Sequence, residues 1–399
     1  MLKLLKLFSA SAAFAATIAC SSAGAQEAPK SIKVGYAISL SGPQAAGAML
    51  TTVPNYRLWV DEVNKAGGLM LKKYNKRVPI EATEIDDRSN NEDMARLVER
   101  LMTVDKVDIV LSPWGTGPNL QAAPIFAKNG YPQLMGTAGS NKLEELVQKF
   151  PTMFWFLGKP DEQIKSLVDT MAGLKKQGKI NDQVAIFVVQ HPFGVEYGST
   201  LKPQLSSAGF KVVYETSYAL GVSDLSAQIK AAKAANPDSM LALSYPPDTF
   251  MLTEQSIAND FNPKIRFLGV GVAFPSYKGK FGDKVNGIFG LGGWDPNGPG
   301  MKEYFERHKA LNKGEPDRWG SPATYAGLQV LQQAIERVGE IDRAKILQEI
   351  KTGTFNTVQG ELKLTGNRDA NAWHFGQWQG GEFYGIAPNR PGAKQPYFK

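Results

Sequence analysis

Cysteine is all but absent from these 399 residues: Cys20 is the only one. A chain without disulfides takes its stability from a buried core, and this length can build one. Histidine is scarce too. His191, His308 and His374 stand far apart with no metal-ligand spacing, so neither a metal nor another cofactor is expected. No His-x-x-x-His, Gly-x-Ser-x-Gly or strand-end Gly-x-Gly-x-x-Gly pattern is present, and no catalytic set emerges. Asp86-Asp87 is the nearest thing to a carboxylate pair. Adjacent strand residues point to opposite faces, so it reads as a turn. Runs of like charge are missing as well: 45 Lys and Arg stand interspersed with 38 Asp and Glu. Nucleic acid is therefore not an expected partner.

What is present begins with an export signal. Lys3 and Lys6 form a basic start, Leu7–Ala19 is apolar but too short to span a bilayer, and Ala23-Gly24-Ala25 offers a small-x-small cleavage point. Residues 1–25 read as a signal peptide cleaved after Ala25. A lipoprotein signal centred on Cys20 would need a Leu three residues earlier, where Thr17 stands. Cleavage removes Lys3, Lys6 and Cys20 and leaves no other long apolar segment, so the exported chain is expected not to span a membrane.

The stretch Leu111–Asn141 organises the rest. Val107–Leu111 reads as a strand, Ser112–Gly117 as a turn-rich loop, and Asn119–Asn129 as a helix stopped by Gly130. Tyr131–Met135 reads as a second strand, followed by the small-residue loop Gly136–Ser140. Asn141 with Glu144 makes a capping start to another helix. In a parallel sheet both loops lie at the carboxyl edge, where ligands bind, and free amides at helix starts attract anions. Thr116, Thr137 and Ser140 add hydroxyls and Trp114 an apolar wall. The reading is a site for a small carboxylate-bearing molecule; ordinary turn chemistry accounts for the same residues.

Two βαβ series of similar length flank this stretch. The first runs from Ile32–Leu40 through a helix with Pro54 near its start and Gly67-Gly68 after it, to Val78–Glu84, a helix carrying Met94, Leu97, Val98 and Leu101, and Val107–Leu111. The aromatic stretch Phe154–Leu157 reads as a crossing point. The second series has strands at Val184–Val189, Lys211–Tyr218, Ser239–Ser244 and Arg266–Val272. Beyond Phe274 come a strand at Gly287–Trp294, helices at Met301–Asn312, Tyr325–Val338 and Ile341–Lys351, and an alternating tail, Ala372–Ile386, that suggests antiparallel strands. Phe193, Tyr245 and Phe274, like Trp114, lie just after strands, where they would line an apolar pocket. The architecture is α/β, with two doubly wound lobes and an inferred cleft between them.

At this point the chain resembles type I periplasmic solute-binding proteins of ABC importers, of the branched-chain amino-acid-binding (Leu/Ile/Val-binding) group. The resemblance lies in the order and spacing of Ile32–Pro43 (IKVGYAISLSGP), Asp61–Leu69 (DEVNKAGGL), Asp86–Leu101 with Val107–Leu111, Ala122–Pro132 (AAPIFAKNGYP), Val184–Gly194, Asp224–Asp238 (DLSAQIKAAKAANPD) and Gly376–Pro388. It implies two Rossmann-like lobes joined by a three-crossing hinge, residues 26–150 and 273–353 forming lobe one, and 151–272 and 354–399 lobe two. It implies a periplasmic, non-enzymatic protein whose lobes close on a ligand, with a membrane permease and its ATPase as partners. By the same resemblance Thr116 takes the place of the hydroxyl that holds the ligand carboxylate, and Ala138 and Ser140 match the next loop. Phe193-Gly194 stands where the family often has Tyr-Gly. Asp248, after Pro246-Pro247, is nearest to the acid that receives a ligand ammonium. The expected ligand is a branched-chain or other apolar amino acid; an aromatic or aliphatic acid or a short amide is the alternative. A secreted hydrolase would need a nucleophile paired with one of the three histidines, and a sensor would differ only in its partner.

Overall fold

A computed structural model describes residues 27–398; the expected leader, its cleavage point and Cys20 lie outside the described residues. The strand Ile32–Ile38 is buried at all but one position, as befits a parallel strand covered on both faces. It pairs in parallel with Ile80–Asp86 and Ile109–Val110. Next along the chain, Gln133–Met135 pairs in parallel with Met153–Trp155. The helix Asn91–Thr103 covers this half through buried Met94, Val98 and Leu101, and Asn90 caps it by accepting the Glu92 and Asp93 amides at 2.9 and 3.0 Å. The helix Val53–Lys65 has proline in its first turn and ends before Gly68, whose φ is +110°. A Cβ at Gly68 would overlap the Val78 backbone, so only glycine fits that turn.

The second half is one seven-stranded sheet. Its order is Glu382–Ala387, Phe375–Gln379, Phe289–Leu291, Ile265–Leu268, Ser239–Leu243, Gln183–Gln190, Lys211–Ala219. The last five run parallel, and the two tail strands add antiparallel to the edge. The aromatic tail is buried as this position requires: Trp378 donates Nε1 to the Val272 carbonyl at 2.7 Å.

Two short strands lie on the other side of the expected lobe limits. Met153–Trp155, expected in lobe two, pairs with the first-half strand Gln133–Met135. Phe289–Leu291, expected in lobe one, extends the second sheet beside Ile265–Leu268. Strands of three residues carry little pattern of their own, and tertiary pairing decides their sheet. The chain crosses between the halves three times: after Trp155, after Leu291, and before Phe375. Backbone bonds tie the crossings together, from Trp155 N to Asn367 O at 2.9 Å and from Gly293 N to Arg318 O at 2.9 Å. The Arg318 guanidinium, nearly fully buried, sits between Glu382 and Glu315 at 3.0 Å each and over the Trp294 ring. Among the described residues no helix is long and apolar enough to cross a membrane.

Candidate functional site

The helix expected from Asn119 begins three residues earlier. Thr116 is its first residue and Gly115, at φ +90°, precedes it as the cap. No side chain caps this end, which is why the usual Ser, Thr or Asp signal is missing from the sequence there. Gly130 ends the helix at φ +70°, as expected. Thr116 and Gly117 therefore hold amides with no intrahelical partner, and Pro118 has none to offer. The following loop braces this turn. Gly115 N donates to Thr137 Oγ1 at 3.1 Å, and Gly139 N donates to Thr116 Oγ1 at 3.4 Å. Each hydroxyl accepts in these bonds and keeps its own proton to give. Ala138 is buried between them.

Trp114 stands beside this helix start. Its Nε1 donates to Thr51 Oγ1 at 2.9 Å, and Thr51 in turn donates to Gly47 O at 2.8 Å. The indole fills the space that Gly47 leaves open: a Cβ there would overlap the six-membered ring. Across the lobe boundary Trp114 meets Tyr245, ring centroids 5.4 Å apart. Tyr245 stacks on Phe193 at 5.1 Å and takes the edge of His191 at 5.0 Å. Phe193 contacts Tyr197 at 4.6 Å, and Tyr197 donates its hydroxyl to Gln163. These rings join the two halves through a buried aromatic cluster.

Several polar atoms in this cluster lack a hydrogen-bond partner among the described residues: the Tyr245 hydroxyl, Gln44 Oε1 and His191 Nδ1. Two of them converge. A Cβ placed on Gly115 would lie 3.7 Å from the Tyr245 hydroxyl and 3.4 Å from Gln44 Oε1. Burial raises the Tyr245 phenol far above its ordinary value, so it remains a donor, and burial holds the His191 imidazole low, so it remains neutral. Buried polar atoms without partners are rare in folded chains.

The helices of the second half treat anions differently. Those starting at Pro160, Pro192, Pro246 and Pro275 each have proline in the first turn, which removes an amide where an anion would bind. At Pro246-Pro247 two amides are gone, and Asp248 Oδ2 accepts the Tyr245 amide at 3.3 Å. The helix at Thr116 keeps its first two amides.

A family model described as periplasmic binding protein matches residues 31–382. The chain belongs to the periplasmic binding protein family. Leu/Ile/Val-binding protein homolog 7 of Brucella abortus is 23% identical over 395 residues, covering 94% of this chain and 96% of its own. The leucine-, isoleucine-, valine-, threonine-, and alanine-binding protein of Pseudomonas aeruginosa is 23% identical over 372 residues, covering 91% and 93%. Two solved structures share the fold. A branched-chain amino acid transporter substrate binding protein of Streptococcus pneumoniae, in complex with isoleucine, superposes with a TM-score of 0.76 at 19% identity, covering 89% of this chain and 98% of its own. A solute binding protein of R. palustris, in complex with benzoate, gives 0.76 at 18% identity, covering 92% and 98%. These relatives are solute-binding proteins, not enzymes.

In this binding protein Trp114, Thr116, Thr137, Ala138, Phe193 and Tyr245 come together as a group. Ser140 reaches elsewhere: its hydroxyl donates to Glu196 Oε1 of the other half at 2.9 Å. Asn141 does not cap the helix Leu143–Lys149. Its side chain bonds Glu196 O at 2.7 Å and accepts the Asp161 amide at 2.9 Å. Asp248 is fully buried on its own helix start, and its Oδ1 makes no hydrogen bond among the described residues. Burial pushes its carboxyl up to about 6, with the Tyr245 and Gly221 amides opposing. Phe274 is buried at the start of the helix Pro275–Phe281 and stacks on none of the cluster rings. Gln44, His191 and Glu196 were missed. The clue for Gln44 was its place just after a strand end; nothing local marks the other two. Among the described residues no group of three His, Cys, Asp or Glu is placed to hold a metal ion.

Proposed function

We propose that this protein captures a small hydrophobic carboxylate between its lobes and delivers it to an ABC permease and its ATPase. A free donor from one lobe, the Tyr245 hydroxyl, and a free acceptor from the other, Gln44 Oε1, converge at Gly115 and carry the reading of a ligand between the lobes. The acid group lies at the start of the Thr116 helix, where the amides of Thr116 and Gly117, the Thr116 hydroxyl and the Tyr245 hydroxyl donate to it. Trp114 and Phe193 flank the apolar body. Ser140 and Asn141 act one step away, by holding Glu196 of the facing lobe. No covalent step takes place. Export by residues 1–25 places the chain in the periplasm.

The neutral Tyr245 phenol and His191 imidazole beside the rings favour an aromatic or aliphatic acid. One observation favours an apolar amino acid instead: the buried Asp248 carboxyl acts on the Tyr245 phenol and is an acceptor for an ammonium group. Solved relatives hold both kinds, isoleucine in one and benzoate in another. A thermal-shift panel of amino acids, aromatic acids and short amides separates the readings, because a ligand bound to the folded state raises the midpoint. Carboxylates should raise it. A response confined to amines without carboxylates rejects the proposal.

A further inference from the structure

We propose that the second lobe carries a second ligand site, at the amino-terminal edge of its sheet, for a small organic anion with a flat apolar body. A cavity of about 680 Å³ opens there, formed by the segments that lead into the strands Gln183–Gln190, Ile265–Leu268 and Phe289–Leu291 and by the C-terminal tail. Tyr245 and His191 lie at the opposite edge, at least one strand away, about 13 Å for the four residues of Ile265–Leu268. The two sites are therefore separate.

Three cations line the cavity, Lys179, Lys264 and Arg266, and among the described residues no acidic side chain does. Lys264 is answered from outside by Asp238 at 3.0 Å. Arg266 and Lys179 have no ion pair among the described residues. Arg266 is half-buried on a strand between Ile265 and Phe267, which are both fully buried. Burial holds its guanidinium below the ordinary value, and a desolvated cation without a counter-charge is costly. Its planar fork matches the two oxygens of a carboxylate, sulfonate or phosphate.

The tail supplies aromatic lining held in place. Gln377 donates to Tyr397 O and accepts from Tyr397 N, both at 2.7 Å, which pins the tail to the sheet. Phe398 packs on Phe289 at 6.1 Å between centroids and lies under the Lys179 ammonium at 5.6 Å. Tyr397 keeps 45% of its surface exposed. Asn286 brings a buried Oδ1 with no partner. Unpaired cations beside aromatic rings fit an anion with a flat body, and the Asn286 Oδ1 is an acceptor for a hydroxyl or N–H of that body.

The test is fluorescence titration of the full chain with 1-anilinonaphthalene-8-sulfonate, a ring-bearing monoanion. Saturable binding is expected. Arg266→Gln and Lys179→Gln each weaken it about tenfold, the loss expected for a hydrogen bond to a charged group, while Thr116→Val in the cleft leaves it unchanged. Lys179 is at the surface, so its variant folds normally and keeps the test meaningful if Arg266→Gln does not fold. Equal binding by wild type and both variants overturns the proposal. So does binding that Thr116→Val abolishes.

Discussion

Glu196 of the second lobe accepts the Ser140 hydroxyl of the first through one oxygen and the Asn141 amide through the other, both at 2.9 Å. This carboxylate clamp lies outside the aromatic cluster and exists only when the lobes are together. On the proposed function it stabilises the closed form from outside the ligand site, and a closed-form contact slows ligand escape.

Glu196→Ala should therefore weaken ligand binding about tenfold, the scale of hydrogen bonds to a charged group. The change should fall on dissociation and leave association nearly unaltered. Stopped-flow kinetics reads both rates. An unchanged dissociation rate removes the clamp from the account.

Gly47→Ala acts on the site from behind. The added methyl has no space beside the Trp114 ring, so the indole must shift and lose its bond to Thr51. Overpacking of this kind costs about 1–3 kcal/mol of stability. Chemical unfolding measures that loss, and ligand affinity should fall with it. A variant with wild-type stability and affinity would show that the indole has room the structure does not give it.

Much of the framework was legible because local chemistry decided it. Gly130 ends its helix with positive φ, the Met94, Val98 and Leu101 stripe is buried, Met301–Asn312 is helical over the expected bounds, and the tail strands pair antiparallel. The site was legible only in part. Thr116, Thr137, Trp114 and Tyr245 sit at strand ends, which periodicity marks. Ser140 and Asn141 had the look of a cap, yet their partners lie on the other lobe, and no local pattern encodes a contact 56 residues away. Gly115 hid the true helix start, because a glycine in an unusual conformation does the work that a hydroxyl or amide side chain does elsewhere. His191 reads as an isolated histidine until the strands bring it against Tyr245.

Asp248 makes stability depend on pH in an unusual direction. Its folded value, about 6, lies above the ordinary aspartate value. The folded chain thus holds this proton more tightly than the unfolded chain, so this group's contribution is favourable at low pH and is lost as pH rises from about 4 to about 6. Asp248→Asn keeps an acceptor for the Tyr245 amide and removes the titration. Its stability relative to wild type should rise across that window by up to about 3 kcal/mol, the value of a two-unit displacement. Denaturant unfolding at both ends of the window checks this. Parallel stabilities would contradict it. The same titration marks the ligand: an amino acid whose ammonium meets Asp248 binds more tightly as pH rises through about 6, and an acid without an amine does not.

The central claim is that an acid group is held at the Thr116 helix start. Calorimetric titration of leucine and benzoate, each beside its amide, leucinamide and benzamide, tests it most directly. Heat is expected from at least one of the acids and none from its amide, with a loss of about 1.5–3 kcal/mol in Thr116→Val that Thr116→Ser restores. Amides that bind as well as their acids, or acid binding indifferent to Thr116→Val, would contradict it.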